Sequence, residues 1–180
     1  KQAEGHIIGE NFDKINTEKI EAAVEKNKAI EKAEVYKVVA KGEKKYKGIL
    51  AVKVRHRVPV LRIMSEDGSY YLDKNGIKVP VSTKYAAHVL VATGHISQDF
   101  AVENLLPFVK YLNHDEFWKA QIQQVHVNSN QDLVLTPLVG NFSVNMGTSE
   151  GYEEKLENLK AFYEQVLAKN NWNTYSSISV

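Results

Sequence analysis

Apolar residues recur along the chain with two periods, and the changes of period mark the elements. Ile7 and Ile8 form a brief apolar strand that stops at Gly9. Asn16 stands where a helix cap belongs, ahead of Thr17 to Glu25, which carries Ile20, Ala23 and Val24 on one face. A second short helix is expected near Lys28 to Glu31, burying Ile30, followed by a strand from Val35 to Val39. After the polar stretch Lys41 to Gly48, Leu50, Val52, Val54, His56 and Val58 alternate with Ala51, Lys53, Arg55 and Arg57. Alternation of that length predicts a half-buried strand, with His56 partly buried on its inner side.

Beyond this point strands dominate. Val60 to Met64 and Ser69 to Leu72 flank Glu66-Asp67-Gly68, and Asp-Gly is a strong hairpin signal. Asp73-Lys74-Asn75-Gly76 gives the next turn, leading into Ile77 to Val81. A helix is expected over Val102 to Asn113, with Leu105, Leu106, Val109 and Leu112 inward and Pro107 in its first turn or at a bend. Gln121 to Val127, Leu133 to Thr136 and Phe142 to Met146 read as strands. The longest helix runs from Tyr152 to Ala168 with Leu156, Leu159, Phe162, Tyr163, Val166 and Leu167 inward. An alternating strand, Tyr175 to Val180, follows it.

Charge divides the chain where the pattern does. Up to Arg57 there are 14 Lys or Arg against 9 Asp or Glu, and from Val58 onward 9 against 13, so +5 gives way to −4. Pro59 biases Val58 to an extended backbone at the same place. Two units are therefore expected, 1–57 and 58–180, in a chain of 180 residues. With 43% hydrophobic and 25% charged residues the composition is globular, which excludes disorder and fibrous repeats. Absence of cysteine excludes disulfides and thiolate metal sites. No apolar run is long enough to span a bilayer. The chain opens on Lys1 without Met, which suits removal of an upstream anchor or signal segment.

Candidate chemistry is sparse. Gly147-Thr148-Ser149-Glu150-Gly151 fits G-x-S-x-G between a strand and a helix, but a nucleophile elbow needs a histidine after the serine. The last histidine is His126. The expected reading is a turn at Gly147 with Ser149 capping the long helix. None of the six histidines shows metal-ligand spacing, so neither a metal nor a cofactor site is expected. Asp115-Glu116 suits a helix start. Four lysines between Lys41 and Lys47 read as a solvated hairpin tip, or as a contact for lipid headgroups. No basic stripe or aromatic interleaving extends beyond them, so no nucleic-acid partner is expected.

The last strand is the feature that suggests binding. Small polar residues alternate through Tyr175, Ser176, Ser177, Ile178, Ser179 and Val180, and a strand at this place in the chain suits a sheet edge that accepts another strand. Tyr175 and Ile178 would then offer grip, and Trp172 is either an interface anchor or a core plug. An ordinary last strand fits the same pattern.

The order of these motifs resembles a known pair of modules. Ile20 through Arg57 resembles a POTRA module, on its helix, on Asn27 before Ile30, and on Ala33, Val35 and Tyr36. The run Val54, Arg57, Pro59, Val60, Arg62, Ile63, with Tyr70-Tyr71-Leu72-Asp73, Gly76 and Pro80, is similar to the FtsQ/DivIB family of cell-division proteins. Val91, Thr93 and Gly94 fit the same template, as do Val144, Met146 and Gly147 leading to Lys155, Leu156 and Leu159.

That resemblance implies an α+β fold: an N-terminal POTRA module (strand-helix-helix-strand-strand), then a mostly antiparallel β domain with two flanking helices. It implies a single-pass inner-membrane protein with this region on the periplasmic side. It also implies a non-enzymatic scaffold that holds FtsB- and FtsL-type partners at its C-terminal strand, with FtsK-type proteins meeting the POTRA module. Partner-binding residues would be Tyr175 through Val180, with Trp172 and Thr148 beside them. Arg57, Pro59, Arg62, Tyr71, Asp73, Gly76 and Gly147 would be structural. Relatives often carry a basic residue where this chain has Thr148, and their last strand runs beyond the position of Val180. The alternative is a POTRA-bearing module of outer-membrane assembly or transport.

Overall fold

A computed structural model describes residues 11–41, 46–83, 85–169 and 174–180. The chain divides into two compact units, Lys1–Val58 and Pro59–Val180.

In the first unit, α1 (Thr17–Glu25) begins where Asn16 Oδ1 accepts from the Lys19 amide. No second helix follows. Asn27 instead closes a turn, its Oδ1 accepting from Ala29 N and its carbonyl from Ile30 N. Ile30 thereby enters β1 (Ile30–Lys41), which pairs antiparallel with β2 (Tyr46–His56) along their whole length. The expected strand Ile7-Ile8 and most of the lysine-rich connection lie outside the described residues.

Helix α1 buries Ile20 against Ala33 and Val35 of β1. Two carboxylates on α1 also reach the outer edge of that strand: Glu25 Oε1 accepts from Ala33 N at 3.0 Å and Glu21 Oε1 from Val35 N at 2.7 Å. The bond from Ala33, then the one from Lys32, holds the Glu25 carboxyl below its usual range. An edge whose donors are already engaged is a poor template for a further strand. Strand β2 is less covered than its alternation suggests. Val52 and Val54 remain 44% and 37% exposed, and His56 is exposed rather than partly buried. One short helix is too narrow to shield both strands.

The second unit is a single sheet in the order β10-β9-β8-β7-β6-β3-β4-β5. Its strands are β3 (Pro59–Ser65), β4 (Gly68–Asp73), β5 (Lys78–Pro80), β6 (Leu90–Gly94), β7 (Ile122–Val127), β8 (Leu133–Pro137), β9 (Ser143–Gly147) and β10 (Ser177–Ser179). Antiparallel pairing joins β3 to β4, β4 to β5, β7 to β8 and β8 to β9. The centre is parallel, with β6 inserted between β3 and β7, and β10 lies parallel to β9. The chain is thus α+β with an antiparallel-rich sheet.

Helices cover one face of this sheet. Leu61, Ile63, Leu72, Ala92, Val125, Leu135 and Val144 meet Phe108, Val109, Leu112, Leu156 and Leu159 in one continuous core. Each large side chain so buried contributes roughly 1.5–3 kcal/mol. The first covering helix starts earlier than the pattern from Val102 suggests, because Ser97 Oγ accepts from Phe100 N and caps it. It continues as α2 (Gln98–Phe100), a π turn (Ala101–Leu105) and α3 (Leu106–His114). Pro107 follows directly on the π turn. Having no amide hydrogen, it cannot close an ordinary helical bond, and the widened turn absorbs the missing partner. Asp115 then caps α4 (Glu116–Gln121) through Phe117 N.

The last helix, α5 (Tyr152–Phe162), also ends in a π turn, Tyr163–Leu167. Of its expected inward residues Leu156, Leu159, Tyr163 and Leu167 lie in the core, Phe162 packs against it, and Val166 is only half-buried. Its cap differs from expectation. Gly151 occupies the N-cap with φ 62°, while Ser149 Oγ accepts from Asn104 Nδ2 at 2.9 Å. Ser149 ties the turn to the other helix instead of starting its own.

Candidate partner-binding edge

Among the described residues β10 is the last strand on its side of the sheet. It is shorter than the expected Tyr175 to Val180 and is held by backbone hydrogen bonds at both ends. Ser143 N donates to Ser176 O at 3.2 Å, and Val180 N donates to Asn145 O at 3.2 Å. In parallel pairing, alternate residues turn both backbone groups to the same neighbour. Residues 176, 178 and 180 therefore face β9, while the N–H and C=O of Ser177 and Ser179 point away from the sheet.

Side chains alternate in the perpendicular direction. Ile178 and Val180 are half-buried against the core, whereas Ser176, Ser177 and Ser179 are exposed. Tyr175 is half-buried too, its ring edge-on to Phe162 with centroids 5.4 Å apart. Tyr175 and Ile178 thus anchor the strand to its own domain instead of standing free as grips. Trp172 lies outside the described residues.

Gly147 and Thr148 belong to the same end of the sheet, since β9 runs into them. Gly147 has φ 65° and Thr148 is exposed. The turn is held from the helix side: Lys155 Nζ donates to the carbonyls of Met146 and Thr148, each at 2.9 Å. In the sequence Lys155 stands out only as part of the run shared with the family. Its position one turn into α5, just after a glycine-flanked turn, is the signal that marks it.

Of the remaining family-motif residues, all but Arg57 gather at the opposite side of the sheet. Arg57 donates its amide to Ala29 O within the first unit. Pro59 opens β3 and pairs in register with Asp73, and Arg62 pairs with Tyr71. The Arg62 guanidinium lies over the Tyr71 ring at 5.6 Å, and Tyr71 OH accepts from Ala87 N. Asp73 is 3% exposed, and its Oδ1 accepts from Asn75 N and Ile77 N, closing the turn at Gly76. At Gly76 φ is 76°, and an added Cβ would sit 3.0 Å from Val102 Cγ1. These residues build a tight hairpin corner. The sheet on this side ends in the three-residue β5, which contains Pro80 and so presents a poor edge.

Other chemistry is thin. An open hollow of about 260 Å³ lies at the carboxyl ends of β3, β6 and β7, with Ser65, Glu66, His95 and Ser97 in its wall. Ser97 is occupied in capping, and His95 Nδ1 lies 3.6 Å from Glu66 Oε1. Among the described residues no group of three or more His, Asp or Glu could hold a metal ion, and no helix is long and apolar enough to cross a membrane.

A two-unit α+β chain with a helix-backed sheet, whose outermost strand on one side among the described residues is β10, is the class these features define. Residues 58–180 match the family model described as FtsQ/DivIB, C-terminal related, and residues 1–42 match that of a POTRA-like domain. The chain belongs to the FtsQ/DivIB C-terminal-related family of cell-division domains. No curated protein sequence matches it. Among solved structures, it is similar to the major extracytoplasmic domain of the trans isomer of the bacterial cell division protein DivIB from Geobacillus stearothermophilus. That likeness has 16% identity and a TM-score of 0.43, and covers 63% of this chain and 96% of that one.

Proposed function

We propose that this chain is a non-enzymatic scaffold of the bacterial division machinery, and that it holds its partners partly by strand addition along β10. The observation that carries the proposal is the outward N–H and C=O of Ser177 and Ser179, flanked by small side chains that leave the backbone open to approach. The partners are division proteins of the FtsB and FtsL type, with FtsK-type proteins meeting the POTRA-like unit. The region works on the periplasmic side of the inner membrane, tethered by a single spanning helix outside this chain. Family membership supports the division role, and the edge geometry supports the mode of binding.

The test is titration calorimetry of the chain against the outer portions of an FtsB–FtsL pair. Ser177→Pro and Ser179→Pro each remove an outward donor without touching the bonds from Ser143 and Val180, so both variants should stay folded and bind more weakly. Parent-like affinity in both would refute strand addition. Absence of binding by the parent would remove this partnership while leaving the fold as described.

A further inference from the structure

Among the described residues, the β1–β2 ribbon keeps apolar side chains exposed, although the Phe12 ring lies over it at Gly48. Helix α1 shields Ala33 and Val35 near one end. Farther along, Val38 and Ile49 stand opposite each other on the face away from those residues, 43% and 45% exposed. Val39 and Tyr46, on the other face, are 62% and 72% exposed. Wet apolar residues grouped in this way mark an interaction surface.

Charge on the ribbon is divided along its length. Toward α1 three cations of the ribbon have carboxylate partners, Lys32 with Glu25, Lys53 with Glu34 and Arg55 with Glu31, while Lys37 Nζ donates to the Asp13 carbonyl. At the far end Lys41 and Lys47 are exposed and make no ion pair among the described residues. Lys41 stands opposite Tyr46, and Lys47 opposite Ala40, level with the apolar group.

We propose that the far half of this ribbon docks on an anionic lipid surface. A groove on a protein would cover one face of a ribbon, whereas here both faces are apolar at the same level. A lipid interface surrounds both. Tyrosine places its ring in such an interface with the hydroxyl in water, and lysine lays its stem along apolar matter while its ammonium reaches the headgroups. Val38 to Lys41 extends roughly 10 Å at about 3.3 Å per residue. That matches the 5–10 Å or so to which interfacial segments enter the headgroup boundary.

The experiment is co-sedimentation of the 180-residue chain with phosphatidylcholine vesicles, with and without phosphatidylglycerol. Binding should appear on the anionic vesicles and fall as salt is raised. Lys41→Gln with Lys47→Gln should weaken it by about fivefold per lysine, and Val39→Ser with Tyr46→Ser should weaken it as well. The exposed pair Lys74→Gln and Lys110→Gln makes the same change of net charge elsewhere and should leave it unaltered. Equal binding to neutral and anionic vesicles, or an equal loss in both lysine pairs, overturns the proposal. So does a ribbon variant that binds vesicles like the parent but loses a protein partner in crosslinking, since the surface would then be a protein interface. These residues lie in the first unit, so failure here leaves the reading of β10 intact.

Discussion

The Lys155 ammonium lies 2.9 Å from the Thr148 carbonyl oxygen and 2.9 Å from that of Met146, so one side chain of α5 fastens the turn that ends β9. The turn would otherwise leave carbonyls beside a half-buried lysine without a partner. Lys155→Met keeps the stem and removes both bonds. Hydrogen bonds to charged groups contribute about 1.5–3 kcal/mol when well shielded, and partial exposure here sets the expected loss at about 1–2 kcal/mol. Denaturant melts would show it as a lower midpoint with an unchanged slope. An unchanged midpoint would mean that solvent replaces the lysine at no cost.

Gly94 ends the central strand β6 with φ 101°, and a Cβ there would meet Val127 O at 2.1 Å. The obstacle is backbone of the neighbouring strand β7, which cannot rotate aside. Gly94→Ala should therefore destabilise the domain by about 3 kcal/mol or more, through strain added to steric overlap. Gly68→Ala is the comparison, because φ is 122° there but nothing lies within 4 Å. It should cost about 1–2 kcal/mol. Equal thermal shifts in the two variants would contradict the close approach.

Asp73 separates hydrogen bonding from charge. Alanine leaves the amides of Asn75 and Ile77 without their acceptor in a partly buried corner, at about 1–2 kcal/mol. Asparagine keeps an oxygen in that place and should recover at least half of the loss. If Asp73→Asn is as damaging as Asp73→Ala, the carboxylate acts through its charge.

Asp115 gives the acid side of the stability profile its sign. The bond from Phe117 N lowers its pKa from the ordinary 3.8, with Lys160 assisting. A lowered folded-state pKa means a contribution that is complete above the ordinary value and fades as pH falls through the lower one. Asp115→Asn should flatten that part of the curve while leaving the pH dependence above about pH 5 as it is in the parent. Urea midpoints measured below pH 4 check this, and an unaltered acid slope would assign the effect to other carboxylates.

Local chemistry was legible wherever the residues concerned lie close together. Asn16 caps α1, Asp67-Gly68 turns the β3–β4 hairpin, Asp73 to Gly76 makes the next corner, and Asp115 starts a helix, all from contacts within a few residues. Strand β6 is not legible because four half-buried residues around the buried Ala92, after a long loop, have no distinct period, and its parallel partners lie about thirty residues away on either side. The second short helix failed because Asn27 bonds its own backbone, which turns the chain straight into β1. His56 was misplaced since alternation tells which residues share a face, not whether anything covers that face. At the candidate edge, the placement of Tyr175 depended on Phe162, a contact that periodicity does not contain.

Strand β10 reaches β9 only through α5, because parallel neighbours cannot be joined by a tight turn. The strand is only three residues long, which sets it among the parts of the sheet expected to open most readily. Whatever binds along Ser177 and Ser179 would then lengthen the lifetime of the strand it sits on. Amide exchange at Ile178 and Val180, which face away from the partner, would slow by the factor with which the partner is bound. The occupied edge would be a clock, read from the inner side of the strand.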